Sequence, residues 1–127
     1  MIFKNMELKF GSVVFSGSKP GLFRIKKLLD MAKNPQDNLK CIHVAGTNGK
    51  GSTCFTLSSI LQQAGYKTGL YTSPEIINFS ERIQINGEMI LNSKATQLLD
   101  FFEPFLKSKE FESDPITKFE LMTANGF

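Results

Sequence analysis

Apolar residues recur at helical spacing in four stretches of the chain, and this pattern predicts four helices. The first follows a Ser18-Lys19-Pro20-Gly21 turn, with Leu22, Ile25, Leu28, Leu29 and Ala32 on one face. Arg24, Lys26, Lys27 and Asp30 mostly fall on the other face, and Asn34-Pro35 stops the helix because the residue before proline is pushed out of the α region. A second helix is expected from about Ser52 to Ala64, with Leu57, Ile60, Leu61 and Ala64 inward and Gly65 closing it. A third should run from Ser93 to Lys107 with Leu98, Leu99, Phe102 and Leu106 inward. After a charged, polar connection over 108–116, residues 117–127 begin a fourth helix whose apolar face is expected to lack a partner. Residues 1–17, where Phe3, Phe10 and Phe15 follow no period, carry no assignment.

Between the helices lie strand patterns. Cys41-Ile42-His43-Val44-Ala45 is a short run that predicts a buried strand, and Tyr66 to Tyr71 predicts another, leaving through Thr72-Ser73-Pro74. With the intervening helix they spell a β–loop–α–β unit, whose crossover should be right-handed and whose strands should be parallel. Residues 82–90 alternate on both sides of Asn86-Gly87, which predicts a hairpin. The expected class is α/β: a P-loop NTPase-like parallel sheet flanked by helices, with a β-hairpin insertion.

Composition leaves that picture standing. The 127 residues are 41% apolar and 21% charged, an ordinary globular balance. A chain of this size buries about 65–70% of its unfolded surface, enough for one core. No stretch approaches the ~20 apolar residues of a membrane span, and Met1 to Glu7 does not resemble a signal peptide. A net charge of +3 with no Lys/Arg block and no Trp argues against a nucleic-acid partner. Cys41 and Cys54 form no Cys-x-x-Cys pair, and Cys41 with His43 on one strand face is too few for tetrahedral zinc. They are expected to be packing thiols of a reduced, cytoplasmic protein.

The chemistry concentrates in Gly46-Thr47-Asn48-Gly49-Lys50-Gly51-Ser52, a glycine-rich loop between predicted strand and helix. Glycines let the backbone approach an anion closely, and unpaired N–H groups at the helix start favour negative charge. Lys50 would reach terminal phosphates, and the Ser52 hydroxyl could coordinate Mg²⁺ or hydrogen-bond phosphate. The spacing is not that of a Walker A loop, G-x-x-x-x-G-K-[ST]. Val44 stands where its first glycine would be, and Gly51 separates Lys50 from Ser52. The dinucleotide pattern G-x-G-x-x-G is not matched either. The plain alternative is a structural glycine turn with an exposed lysine.

The loop resembles the nucleotide loop of folylpolyglutamate and dihydrofolate synthases, within the Mur ligase superfamily. Further motifs are similar and in order. They are Gly21-Leu22-x-Arg24-Ile25, Asn34-Pro35-Gln36, Tyr71-Thr72-Ser73-Pro74 with Ser80-Glu81-Arg82-Ile83, and Thr117-x-Phe119-Glu120. Together they run from about residue 17 to the last. The resemblance implies residues 1–127 to be part of a Mur-type ATP-binding domain. It implies an ATP- and Mg²⁺-dependent ligase that phosphorylates the carboxylate of a folate or dihydropteroate and joins it to L-glutamate through the acyl phosphate.

By the same resemblance, Gly46, Thr47, Asn48, Gly49, Lys50, Gly51 and Ser52 match the ATP-binding residues, with Lys50 as the catalytic cation. Ser73, with Ser52, matches a Mg²⁺ ligand, although alone Ser73 reads as a turn residue before Pro74. Gly21, Leu22, the loop after Pro74, Thr117, Phe119, Glu120 and Arg82 match the folate or pterin site. Without the resemblance, Glu120 reads as an exposed helical glutamate and Arg82 as a surface hairpin residue. Glu75 and Ser80 stand where family members often carry histidine and asparagine, and Lys19-Pro20 replaces an acid-containing turn of some bifunctional members. A later glutamate Mg²⁺ ligand, a carbamylated lysine, a histidine ligand and a C-terminal glutamate-binding domain have no match here. The expectation is therefore weak or no synthase activity from this chain alone. The rival is a non-catalytic nucleotide-binding module that completes its site with another polypeptide.

Overall fold

A computed structural model describes residues 16–74 and 79–127. They divide into two compact units: residues 41–95, and residues 16–40 with 96–127. Residues 1–15, with Phe3, Phe10 and Phe15, and the loop directly after Pro74 lie outside the described residues. Among those described, no helix is long and apolar enough to cross a membrane.

In the first unit, helix α2 (Lys50–Gln63; α1 lies in the other unit) leads into strand β1 (Gly69–Tyr71). The helix ends where the sequence stops it. Gly65 takes φ +86°, and the amides of Gly65 and Tyr66 return to the carbonyls of Gln62 and Leu61 at 2.9 and 3.0 Å, a Schellman closure. β1 pairs antiparallel with β2 (Ile83–Ile85), and β2 pairs antiparallel with β3 (Glu88–Met89), in the order β1-β2-β3. The β2–β3 turn is Asn86-Gly87 with φ of +51° and +80°, positive at both central positions as a type I′ hairpin requires. Asn86 also accepts the Thr68 amide through Oδ1 at 2.9 Å, which ties the hairpin to the approach of β1.

Among the described residues the parallel β–α–β sheet expected from the sequence is not seen. Within them, residues 41–45 take no part in a ladder, and Cys41, Ile42 and His43 are exposed. A short apolar run becomes a strand only when neighbours take up its N–H and C=O groups, and a parallel strand needs both faces covered. Among the described residues β1 instead meets β2, and the sheet is antiparallel. Cys41 is therefore not a packing thiol, whereas Cys54 is half-buried. The inner face expected for α2 is also largely open: Leu57 and Leu61 are half-buried, but Ile60 is 58% exposed and Ala64 is exposed. The buried position of that helix is Ser58, which hydrogen-bonds Gln62 and lies 3.4 Å from the Thr68 hydroxyl.

The second unit is where the apolar pattern is realised. Helix α1 (Phe23–Met31) buries Leu28 and Leu29, and the helix α3 (Asn92–Leu106), which begins in the first unit, buries Leu99, Phe102 and Leu106. The polar connection over 108–116 is pinned by buried Phe111 and Ile116. Helix α4 (Lys118–Ala124) packs against α1 and buries Leu121, Met122 and Ala124. The expectation of an unpartnered apolar face over 117–127 is thus overturned, because α1 and α4 cover each other. Burying side chains of this size stabilises by roughly 1.5–3 kcal/mol each.

Candidate functional site

The glycine loop lies in the first unit and delivers the chain into α2. Gly46 and Gly49 take φ of +149° and +77°, and Gly49 is the residue that caps the helix. No side chain caps it. The first helical hydrogen bond runs from the Thr53 amide to the Gly49 carbonyl at 2.9 Å, so the amides of Lys50, Gly51 and Ser52 have no acceptor within the helix. Lys50 Nζ donates to the carbonyls of Gly46 and Thr47 at 2.6 and 3.0 Å, which curls the ammonium over the loop. Thr47, Asn48 and Ser52 are exposed. A Cβ on Gly51 would meet nothing within 4 Å. Glycine inside a helix costs about 1 kcal/mol relative to alanine, and nothing in the chain's own packing asks for it there. The arrangement can receive a polyphosphate: convergent amides, an ammonium, hydroxyls and open space.

Ser73 follows β1 at its carboxyl end and is exposed, in the same unit as the loop. Arg82 ends a 3₁₀ turn (Phe79–Arg82) and is half-buried, its carbonyl accepting the Thr72 amide at 2.9 Å. The described Ser80 hydroxyl donates to Asn92 at 2.9 Å.

The second unit holds a cavity of about 610 Å³. Gly21 and Leu22 line one wall; Thr117, Phe119 and Glu120 line the other. Five of the six numbered positions matched to a folate site therefore meet in one place, and Arg82 belongs to the other unit. Leu22 and Phe119 line this cavity and are exposed, at 65% and 57%, whereas Thr117 and Glu120 are buried. Glu120 is therefore not an exposed helical glutamate. Its Oε2 accepts the Thr117 amide at 2.8 Å while its own amide donates to Thr117 Oγ1 at 3.1 Å, a reciprocal cap of α4.

Arg24 was placed by periodicity on the outer face of α1, and it is buried instead, 7% exposed. Its Nε donates to Glu120 Oε2 at 3.1 Å, Nη2 to the Lys19 carbonyl at 3.1 Å, and Nη1 to Asp114 Oδ2 at 3.4 Å. Lys19 Nζ donates to Asp114 Oδ1 at 2.7 Å. The Glu120 hydrogen bond, ahead of an opposing cost of burial, raises the Arg24 pKa further above its ordinary value. The Lys19 hydrogen bond holds the Asp114 carboxyl below its ordinary value, again against some burial. No signal local to α1 marks Arg24 as buried, since Glu120 lies 96 residues away.

No family profile matches the chain. It is 45% identical over 112 residues to the dihydrofolate synthase/folylpolyglutamate synthase of Bacillus subtilis, covering 87% of this chain and 26% of that protein. The crystal structure of a Thermotoga maritima folylpolyglutamate synthase matches 99% of this chain and 29% of its own with a TM-score of 0.85 and 36% identity. A bifunctional folylpolyglutamate/dihydrofolate synthase of Yersinia pestis, solved with AMPPNP and manganese, matches 87% of this chain and 26% of its own with a TM-score of 0.76 and 31% identity. The chain spans about a quarter or less of the length of the curated relatives it matches.

Proposed function

The chain is part of the folylpolyglutamate and dihydrofolate synthase family, and from that premise we propose that it carries the phosphate loop and folate pocket of an ATP- and Mg²⁺-dependent amide ligase. The whole enzyme phosphorylates the carboxylate of a folate or of dihydropteroate; the L-glutamate amine then attacks the acyl phosphate, phosphate leaves, and an amide remains. The observation that carries this reading is the loop over 46–52. Its first-turn amides lack helical acceptors, and Lys50 Nζ lies within 2.6–3.0 Å of two loop carbonyls that it can exchange for phosphate oxygens.

Gly46, Thr47, Asn48, Gly49, Gly51 and Ser52 offer the cradle, and Lys50 supplies the cation that steadies charge on the transferring phosphate. The hydroxyls of Ser52 and Ser73 are hard oxygen donors, both exposed. They fit Mg²⁺, an ion that keeps waters and phosphate oxygens as its other ligands. Held there, that ion would supply positive charge against the negative charge developing on the transferred phosphate. Gly21, Leu22, Thr117, Phe119 and Glu120 form the pterin wall of the cavity.

These 127 residues alone should bind Mg·ATP and turn over little or not at all. Calorimetry of the chain with Mg·ATP should give binding that Lys50→Ala weakens at least tenfold, with no ATP-dependent glutamylation of tetrahydrofolate. Glutamylation that Lys50→Ala abolishes would overturn the second part, and equal binding by both proteins the first. A second reading, a nucleotide-binding module that assembles with another polypeptide, is favoured by the exposed Ile42, Phe55, Ile60 and Tyr66 of the first unit. Co-purification with a chain bearing the missing ligands supports it, and a monodisperse monomer counts against it.

A further inference from the structure

The cavity of the second unit has one wall that no apolar packing holds. Residues 16–19 and Gly21 line it ahead of α1, and every residue from Gly17 to Leu22 is exposed. The helices α1 and α4, which supply its other walls, bury Leu28, Leu29, Leu121 and Met122. Ser16 anchors the near end of this strap. Its amide donates to the Ile116 carbonyl at 3.1 Å and its hydroxyl to the Pro115 carbonyl at 2.7 Å. From Gly17 to Gly21, the strap's hydrogen bonds to described residues all pass through Lys19. Its Nζ donates to Asp114 Oδ1 at 2.7 Å, and its carbonyl accepts Arg24 Nη2 at 3.1 Å. Asp114 ties the two together, because its Oδ2 also accepts Arg24 Nη1 at 3.4 Å. Gly17 and Gly21 flank this latch with nothing within 4 Å of a Cβ at either, and Gly21 has φ +110°. A segment held by a few exposed polar contacts between two glycines belongs to the low-stability end of a fold, where local opening costs little.

We propose that Asp114 is a positioning residue that latches the strap over residues 17–21 shut across the cavity, so that release of the Lys19–Asp114 contact admits and frees the cavity's occupant. The gate rests on the folate-pocket reading for the identity of that occupant, and on the strap's own contacts for its existence. Asp114 touches no ligand; it acts through the Lys19 side chain and, with Arg24, through the Lys19 carbonyl. It does not line the cavity, so the latch favours the closed strap equally with the cavity empty or filled. Weakening it therefore speeds entry and release together and leaves the equilibrium affinity in place. The pair is exposed, at 44% and 43% of its side chains. Such a pair shifts an opening equilibrium by a factor of about two to five, and salt screens it.

The test is stopped-flow binding of tetrahydrofolate to the full chain and its variants. Asp114→Ala and Lys19→Gln should raise the association and dissociation rates alike, by about two- to fivefold, with Kd nearly unchanged. Lys19→Arg, which keeps the charge, should retain the wild-type rates. A merely structural Asp114 would raise dissociation alone and weaken binding. That result, or rates that do not move, overturns the latch. A ligand-free arm alkylates Ile25→Cys, a half-buried position in the cavity, with the neutral reagent iodoacetamide. Peptide mass separates its product from those of Cys41 and Cys54. Raising NaCl from ~0.05 to ~0.5 M should speed this alkylation, and adding Asp114→Ala should remove the salt response. Alkylation indifferent to salt, or equally salt-sensitive with Asp114→Ala, would refute the proposal. If the wild-type chain binds no tetrahydrofolate, the pocket reading falls and the alkylation arm alone decides the latch.

Discussion

The two units of this chain meet different demands with the same kinds of residue. In the second unit, α1 and α4 bury Leu28, Leu29, Leu121 and Met122, and even its charged residues are spent on its own architecture, Arg24 on Glu120 and Lys19 on Asp114. In the first unit Leu70 and Ile83 are buried, but Ile42, Phe55, Ile60 and Tyr66 are exposed, and the lysine of the loop rests on backbone carbonyls. Among the described residues of the second unit, Gln36 Oε1, Glu120 Oε1 and Asn125 Oδ1 are buried without a hydrogen-bond donor. The first unit leaves the amides of the first turn of α2 without helical acceptors, ties its loop lysine only to exposed backbone carbonyls, and keeps several apolar side chains in the open. A region proposed to receive a polyphosphate needs such groups left open.

The contrast is breakable by mutation. Leu121→Ala should lower the stability of the second unit by about 2–5 kcal/mol in urea melts, since a fully buried leucine leaves a cavity. Ile60→Ala, at an exposed position, should cost no more than about 0.5 kcal/mol. Equal costs would mean that the first unit is as tightly packed as the second. Next in size is the Mg·ATP affinity: Lys50→Ala should lose at least tenfold in binding with a melting temperature unchanged within about 2 °C. Thr117→Ala removes half of the α4 cap and should cost about 1 kcal/mol, while leaving Mg·ATP affinity untouched.

The smallest effect is in pH. Asp114 has its folded pKa depressed, chiefly by the Lys19 hydrogen bond. Its contribution is therefore present above the unfolded value of about 4 and is lost as pH falls through the lower folded value. The stability gap between the wild-type chain and Asp114→Asn should shrink on acidification through that window and with added salt, because the pair is partly exposed. A gap constant from pH 6 to about pH 2.5 would remove the ion pair from the account.

Helix spacing was a sufficient guide where burial is local. The inward positions Leu28, Leu29, Leu99, Phe102 and Leu106 are buried, and Asn86-Gly87 makes its hairpin because the positive φ angles are a property of those two residues. The glycine loop is legible for the same reason: Gly46 and Gly49 take positive φ, a matter of backbone geometry within a few residues. What periodicity misses depends on distant partners. Arg24 counts as a surface charge until Glu120 is folded against it, and residues 41–45 count as a strand until their neighbours are known. The face of α2 carrying Ile60 and Ala64 has the spacing of a buried face, yet spacing does not say what covers it. In the cavity, Gly21, Leu22, Thr117, Phe119 and Glu120 were reachable through motif resemblance, whereas the side chain that joins its walls was not assigned a site role.

The central claim, that the loop of the first unit is the nucleotide site, is tested most directly by titrating Mg·ATP into the ¹⁵N-labelled chain. The account predicts that amide resonances of residues 46–52 move saturably while those of 117–120 stay in place, and that Lys50→Ala removes the response. Saturable shifts at 117–120 with residues 46–52 unmoved would contradict it.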